Sequence, residues 1–153
     1  MEEADRTAAL QRLEPLVGAW NIETGIPGGE GVVGRMEIEW LLGGAFLVQR
    51  SDVPHPAAPD GFCILSPKDG YAPGEYVQHY FDSRGVVRIY SMTLRDGVWT
   101  LLRDSADFTP LSFAQRFVGT FSEGGNAISG AWEKSQDGST WEKDFDLTYT
   151  RAR

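Results

Sequence analysis

Ser112-Phe113-Ala114-Gln115-Arg116-Phe117-Val118-Gly119-Thr120-Phe121, followed by the turn signal Gly124-Gly125-Asn126, is the stretch that decides the fold. Phe113, Gln115, Phe117 and Phe121 stand against Ser112, Arg116 and Thr120, and successive side chains of an extended chain point to opposite faces. Period two therefore predicts a β-strand with one buried face. The last segment repeats the pattern: Phe145, Leu147 and Tyr149 alternate with Asp144, Asp146, Thr148 and Thr150.

The rest of the chain after Gly18 is cut by similar turn signals. Gly28-Gly29, Gly43-Gly44, Asp69-Gly70, Ser83-Arg84-Gly85, Asp96-Gly97 and Asp137-Gly138 are each a candidate hairpin. Between them lie about ten strand segments, near 18–27, 31–42, 45–53, 61–66, 75–82, 86–95, 98–104, 112–122, 127–135 and 141–151. Sequential hairpins without intervening helices predict an all-β, up-and-down antiparallel barrel, and closure removes edge strands that would invite aggregation. The segment Pro54-His55-Pro56-Ala57-Ala58-Pro59-Asp60-Gly61 reads as a loop, since proline cannot donate to a ladder. Ahead of the barrel, Ala9, Leu10, Leu13, Leu16 and Val17 have near-helical spacing and predict one amphipathic helix over 3–14, ended by Pro15. The expected organisation is a helix and connecting turn over 1–17 and a barrel over 18–153, in a single domain.

Composition narrows the partners. Acidic residues outnumber basic ones 22 to 14, for a net charge of −8, which argues against nucleic acid and against anionic membranes. The longest apolar stretch, Trp40 to Val48, is far short of the roughly 20 residues of a spanning helix. Met1 to Asp5 is acidic and leads into no apolar run with a cleavage site, so a cytoplasmic location is expected. Cys63 is the sole cysteine; between Phe62 and Ile64 it reads as a small buried side chain.

Leu13-Glu14-Pro15-Leu16-Val17-Gly18-Ala19-Trp20 resembles the start of calycin barrels, the superfamily of lipocalins, fatty-acid-binding proteins and nitrobindins, where a short helix precedes Gly-x-Trp on the first strand. The resemblance implies an arginine from the last strand packed across that tryptophan. Arg151 stands at that place, so Trp20 and Arg151 are expected to form a structural floor. Glu39-Trp40-Leu41-Leu42-Gly43-Gly44-Ala45-Phe46-Leu47 looks like the second hairpin of small bacterial nitrobindin-like barrels of unknown function. Nitrobindins ligate haem through a histidine near the C-terminus. The segment Asp146 to Arg153 contains none, so haem is disfavoured and no cofactor is expected.

Alternation predicts a lumen lined by Ile22, Met36, Ile38, Trp40, Phe113, Phe117, Trp132 and Tyr149, with Gln115 as a polar point that orients a ligand. The strand Glu75 to Asp82 leaves two phases open: Val77, His79 and Phe81, or Tyr76, Gln78, Tyr80 and Asp82. His55 and His79 are the only histidines, which excludes a histidine-rich metal site. His55 reads as a loop residue. His79 is a candidate ligand contact, and His79 with Tyr80 is the candidate catalytic pair if the barrel is an enzyme. Glu37 and Glu39 alternate outward, away from any cleft in which paired carboxylates could act. Nucleophile-elbow, phosphate-loop and dinucleotide motifs are absent from the sequence. The leading expectation is a binding or carrier protein for a small hydrophobic ligand. An isomerase or cyclase using the cavity is the alternative, and a structural domain that forms a homodimer through its outer sheet is the third.

Overall fold

In the computed structural model, residues 2–68 and 72–152 are described, and the predicted turn at Asp69-Gly70 falls outside them. The chain is mostly strand. Ten strands follow one helix: β1 (Gly18–Thr24), β2 (Val33–Leu41), β3 (Phe46–Asp52), β4 (Gly61–Ser66), β5 (Glu75–Asp82), β6 (Val87–Arg95), β7 (Val98–Arg103), β8 (Ala114–Phe121), β9 (Ala127–Ser135) and β10 (Glu142–Arg151). Each pairs antiparallel with its sequence neighbour, and β10 pairs with β1 to close the barrel. Closure satisfies the ladder groups that β1 and β10 would otherwise expose.

The β6–β7 turn shows how local chemistry sets register. Asp96 and Gly97 both have positive φ, 52° and 74°, the mirror-image turn whose twist matches the flanking strands, and Arg95 pairs with Val98 across it.

Helix α1 (Glu3–Gln11) is shorter than its apolar spacing predicts, and a 3-10 turn over Glu14–Leu16 follows. No residue of α1 itself is fully buried; Leu13 and Leu16, beyond its end, are. The apolar side chains after Gln11 thus serve as a plug, and the proline sits where its missing N–H costs no helical bond. No described helix is long and apolar enough to cross a membrane.

The plug closes one end of the barrel. Trp20, Met36, Ile38, Leu47, Leu65, Tyr76, Met92 and Ile128 pack around it, each at most 2% exposed. The Tyr76 hydroxyl donates to the Ala9 carbonyl at 2.6 Å, and the Trp20 Nε1 donates to the Leu16 carbonyl at 2.9 Å. Arg151 lies 4.2 Å from the Trp20 ring and donates to the carbonyls of Val17 and Pro15, both at 2.7 Å. Gly18 has φ of 132°, and a Cβ there would come within 2.8 Å of the Arg151 guanidinium. Both backbone and space demand glycine at that point.

Candidate functional site

Above the apolar plug the interior changes character. The inward positions become Gln49 on β3, Cys63 on β4, Gln78 and Tyr80 on β5, Arg88 and Tyr90 on β6, and Gln115 on β8. With Trp99, Leu101, Phe117, Trp132 and Tyr149 they line a cavity of about 380 Å³. That is near the small end of the ~300–1,000 Å³ usual for ligand pockets. Ile26, Val53, Ala57, Ala58, Pro59, Arg84 and Phe113 line its mouth. A larger groove of about 780 Å³ lies outside the barrel, between the end of α1 and the turns at Gly74, Gly97 and Gly124. Its wide opening and turn-residue walls enclose a ligand poorly.

The aromatic wall is continuous. Trp99 meets Phe117 at 5.3 Å between ring centroids, Phe117 meets Trp132 at 5.4 Å, and Trp132 meets Tyr90 at 5.7 Å. Gly119 and Gly130, paired across β8 and β9, leave the space that the Phe117 ring occupies; a Cβ on either would sit within 2.9 Å of that ring.

Polar groups in this wall fall into two sets. In the first, the Tyr90 hydroxyl and the Arg88 Nη1 both donate to the Gln115 Oε1, at 3.0 and 3.2 Å. The second set is unpaired. The Oε1 atoms of Gln49 and Gln78, the Nε of Arg88 and the Nε1 of Trp99 are buried without a hydrogen-bond partner, and all four residues line the cavity. Buried polar atoms are satisfied in the great majority of cases, so four unpaired ones gathered around one cavity set this wall apart from the plugged half.

Ionisation follows burial. Burial pushes the Cys63 thiol up to about 12, and raises Tyr149 and Tyr90 above the usual phenol range, with Arg88 partly opposing the rise at Tyr90. Tyr80 is raised too, first by burial and then by its 2.7 Å hydrogen bond to the Asp82 carboxylate. Burial would raise Asp82, but hydrogen bonds from Arg84 and Tyr80 outweigh it and hold the carboxyl at about 2. On the rim, Arg103 and Asp107 form a buried ion pair at 2.9 and 3.0 Å, and Asp107 also accepts from the backbone N–H of Ile89 and Thr109. The Arg103 hydrogen bonds hold Asp107 far below the usual carboxylate range. This pair fastens the connection between β7 and β8 onto β6.

The predicted lining divides along the barrel axis. Ile22, Phe113, Gln115, Phe117, Trp132 and Tyr149 line the cavity. Met36, Ile38 and Trp40 do not: Met36 and Ile38 pack in the plugged half, and Trp40 lies next to the hairpin at that same closed end. Alternation along a strand gives the face but not the depth.

His79 is a further correction. β5 turns Tyr76, Gln78 and Tyr80 inward, and Phe81 on the His79 phase is 37% exposed. His79 therefore lies on the outer face, opposite the cavity-lining Gln78 and Tyr80. His55 is half-buried in its loop, where Nδ1 accepts from the Ala57 N–H at 3.1 Å and the ring packs over Gly28. Gln115 is more than a lone polar point, since its carbonyl already takes two internal donors.

Sequence reasoning missed Gln49, Arg88 and Trp99, left Gln78 open as one of two phases, and read Tyr90 only as a possible acid beside Tyr80 and Tyr149. The register supplies the signal: Gln49 pairs with Cys63, and Gln78 with Tyr90, so the inward phase passes from strand to strand. A second miss is Asp144. The pairing of β9 and β10 slips between Lys143 and Phe145, and the bulge turns Asp144 to the cavity mouth, against simple alternation.

Among the described residues, no group of three or more His, Cys, Asp or Glu is placed to hold a metal ion. Neither a protein-family model nor a curated protein matches the chain. Its backbone does have a solved counterpart. The crystal structure of Rv2717c from M. tuberculosis superimposes with a TM-score of 0.66 over 95% of this chain and 98% of that one, at 17% identity. At that identity the likeness is one of fold.

Proposed function

We propose that the protein binds a small, largely apolar molecule inside the barrel and acts as its carrier. The observation that carries this reading is the cavity itself: an aromatic and aliphatic enclosure of about 380 Å³ that also gathers the four buried, unpaired polar atoms. Apolar walls supply affinity, at about 0.8 kcal/mol per buried methylene, and sparse polar groups fix orientation. A calycin-like kinship fits the same reading, because the Trp20 and Arg151 floor closes one end and leaves the other for a guest.

Binding is favoured over catalysis by the state of the candidate acids and bases. His79 faces outward, and the raised pKa of Tyr80 leaves its proton held against Asp82 at neutral pH. A general acid or base works best with a pKa near the operating pH.

The test is native mass spectrometry of the purified protein, with identification of any released molecule, paired with titration by the apolar fluorophore N-phenylnaphthylamine. Saturable binding of one probe per chain is expected. Ser51→Trp, which sets an indole among the residues lining the cavity, is expected to abolish it without lowering the melting temperature. No saturable binding to the wild-type chain would overturn the proposal.

A further inference from the structure

Resting on the cavity as the binding site, we propose that its ligand carries a carboxylate, held by the free edge of the Arg88 guanidinium. Arg88 is the first inward residue of β6, on the mouth side of Tyr90, and it lines the cavity. Its Nη1 is committed to Gln115 at 3.2 Å. Its Nε is buried with no partner, and among the described residues its Nη2 makes neither a hydrogen bond nor an ion pair. Nε and Nη2 form the side-on edge of a guanidinium, whose two parallel N–H groups match the two oxygens of a carboxylate.

Among the described residues, no carboxylate fills this place. Asp82 is taken by Arg84 and Tyr80, and Asp107 by Arg103. Asp144 is exposed on the β10 bulge and forms no ion pair with Arg88. Arg88 is half-buried, with its Nε covered and no carboxylate beside it, and a charged guest supplies the missing counterion where a neutral one does not. The geometry also sets polarity along the axis. With its head at Arg88 near the mouth, the ligand lays its apolar tail towards Trp99, Phe117 and Tyr149 in the deeper wall.

The experiment compares octanoic acid with octanol at neutral pH, each titrated by calorimetry and by displacement of N-phenylnaphthylamine. Octanol is the more hydrophobic of the two, so a preference for the ionised acid reports the cation and not the tail. Octanoate is expected to bind the wild-type chain about tenfold or more tightly than octanol, as a charge-assisted hydrogen-bonded pair would give. In Arg88→Met that preference for octanoate over octanol is expected to vanish, whatever the absolute affinity of the variant for either compound. Octanol equal to or tighter than octanoate on the wild-type chain would overturn the carboxylate and leave the cavity reading intact. A preference that survives in Arg88→Met would overturn Arg88 as its holder. Binding of neither compound would overturn both readings, and the wild-type comparison stands even if the variant does not fold.

Discussion

The Arg151 guanidinium lies 4.2 Å from the ring of Trp20 and reaches past it to the carbonyls of Val17 and Pro15. One side chain of the last strand thereby ties the first strand and the plug together. Its strength comes from two charge-assisted bonds to backbone plus a cation–π contact, sheltered in part from water. Arg151→Ala is expected to lower unfolding free energy by roughly 2–4 kcal/mol, measured by urea denaturation. Arg151→Lys is expected to recover less than half of that, because an ammonium cannot reproduce the planar fork. A near-neutral Arg151→Ala would mean that the plug holds without the clasp.

Acid should loosen the opposite end of the barrel. Folding holds the carboxyls of Asp107 and Asp82 below the unfolded value, so the unfolded chain takes up protons first as pH falls. Their stabilising contribution is complete above an unfolded pKa of about 3.9 and is lost as pH drops from there through about 2 and below. Asp107→Asn is expected to be less stable than wild type at neutral pH by about 1–3 kcal/mol, with the gap closing towards pH ~2. Arg103→Leu is expected to be worse, at about 3–5 kcal/mol, because it strands a buried carboxylate. Urea unfolding across the acid range tests both, and a constant gap between wild type and Asp107→Asn would remove Asp107 as the cause.

The barrel was legible because period two and turn chemistry are local properties. Asp96-Gly97 announces a tight hairpin by its residue types alone, and the alternation from Phe113 to Phe121 survives in β8. Depth along the axis was not legible. Trp40 and Trp132 both carry the inward look of an indole in a strand, yet one sits by the closed end and the other on the cavity wall. That difference depends on how the ten strands stagger, which is fixed by pairing across the whole barrel. The face of β5 was undecidable for a related reason. Val77, His79 and Phe81 are as apolar as Tyr76, Gln78 and Tyr80, and only the pairing of Gln78 with Tyr90 and of Tyr80 with Arg88 separates them.

Cys63 tests the enclosure of the cavity from inside. Its thiol is pushed from an ordinary value of about 8.5 to about 12 by burial, which starves it of the thiolate that reacts. The higher nucleophilicity of a more basic thiolate offsets only part of that loss. Reaction with a disulfide reagent is therefore expected to be on the order of a hundredfold slower in the folded protein than in urea. A folded-state rate equal to the unfolded one would show Cys63 open to water, and the upper wall of the cavity would have to be redrawn.

Gln115 offers the sharpest control of the site, because its Oε1 takes both the Tyr90 hydroxyl and the Arg88 Nη1. As a lone polar point that only orients a ligand, Gln115 would tolerate leucine with little change in stability. The structure predicts otherwise: leucine leaves two buried donors unpaired, a cost of about 1–3 kcal/mol readable by urea denaturation. Gln115→Glu keeps the shape and the acceptor but gives Arg88 an internal counterion. Its stability is expected to lie within about 1 kcal/mol of wild type, since both donors retain their oxygen and one bond becomes charge-assisted. Octanol should bind it as it binds wild type, through the unchanged aromatic wall. Octanoate should bind about tenfold more weakly, because the carboxylate of the variant already neutralises the cation that the ligand would meet. If Gln115→Glu is stable and octanoate still binds as tightly as to wild type, the charge of Arg88 has no part in ligand selection.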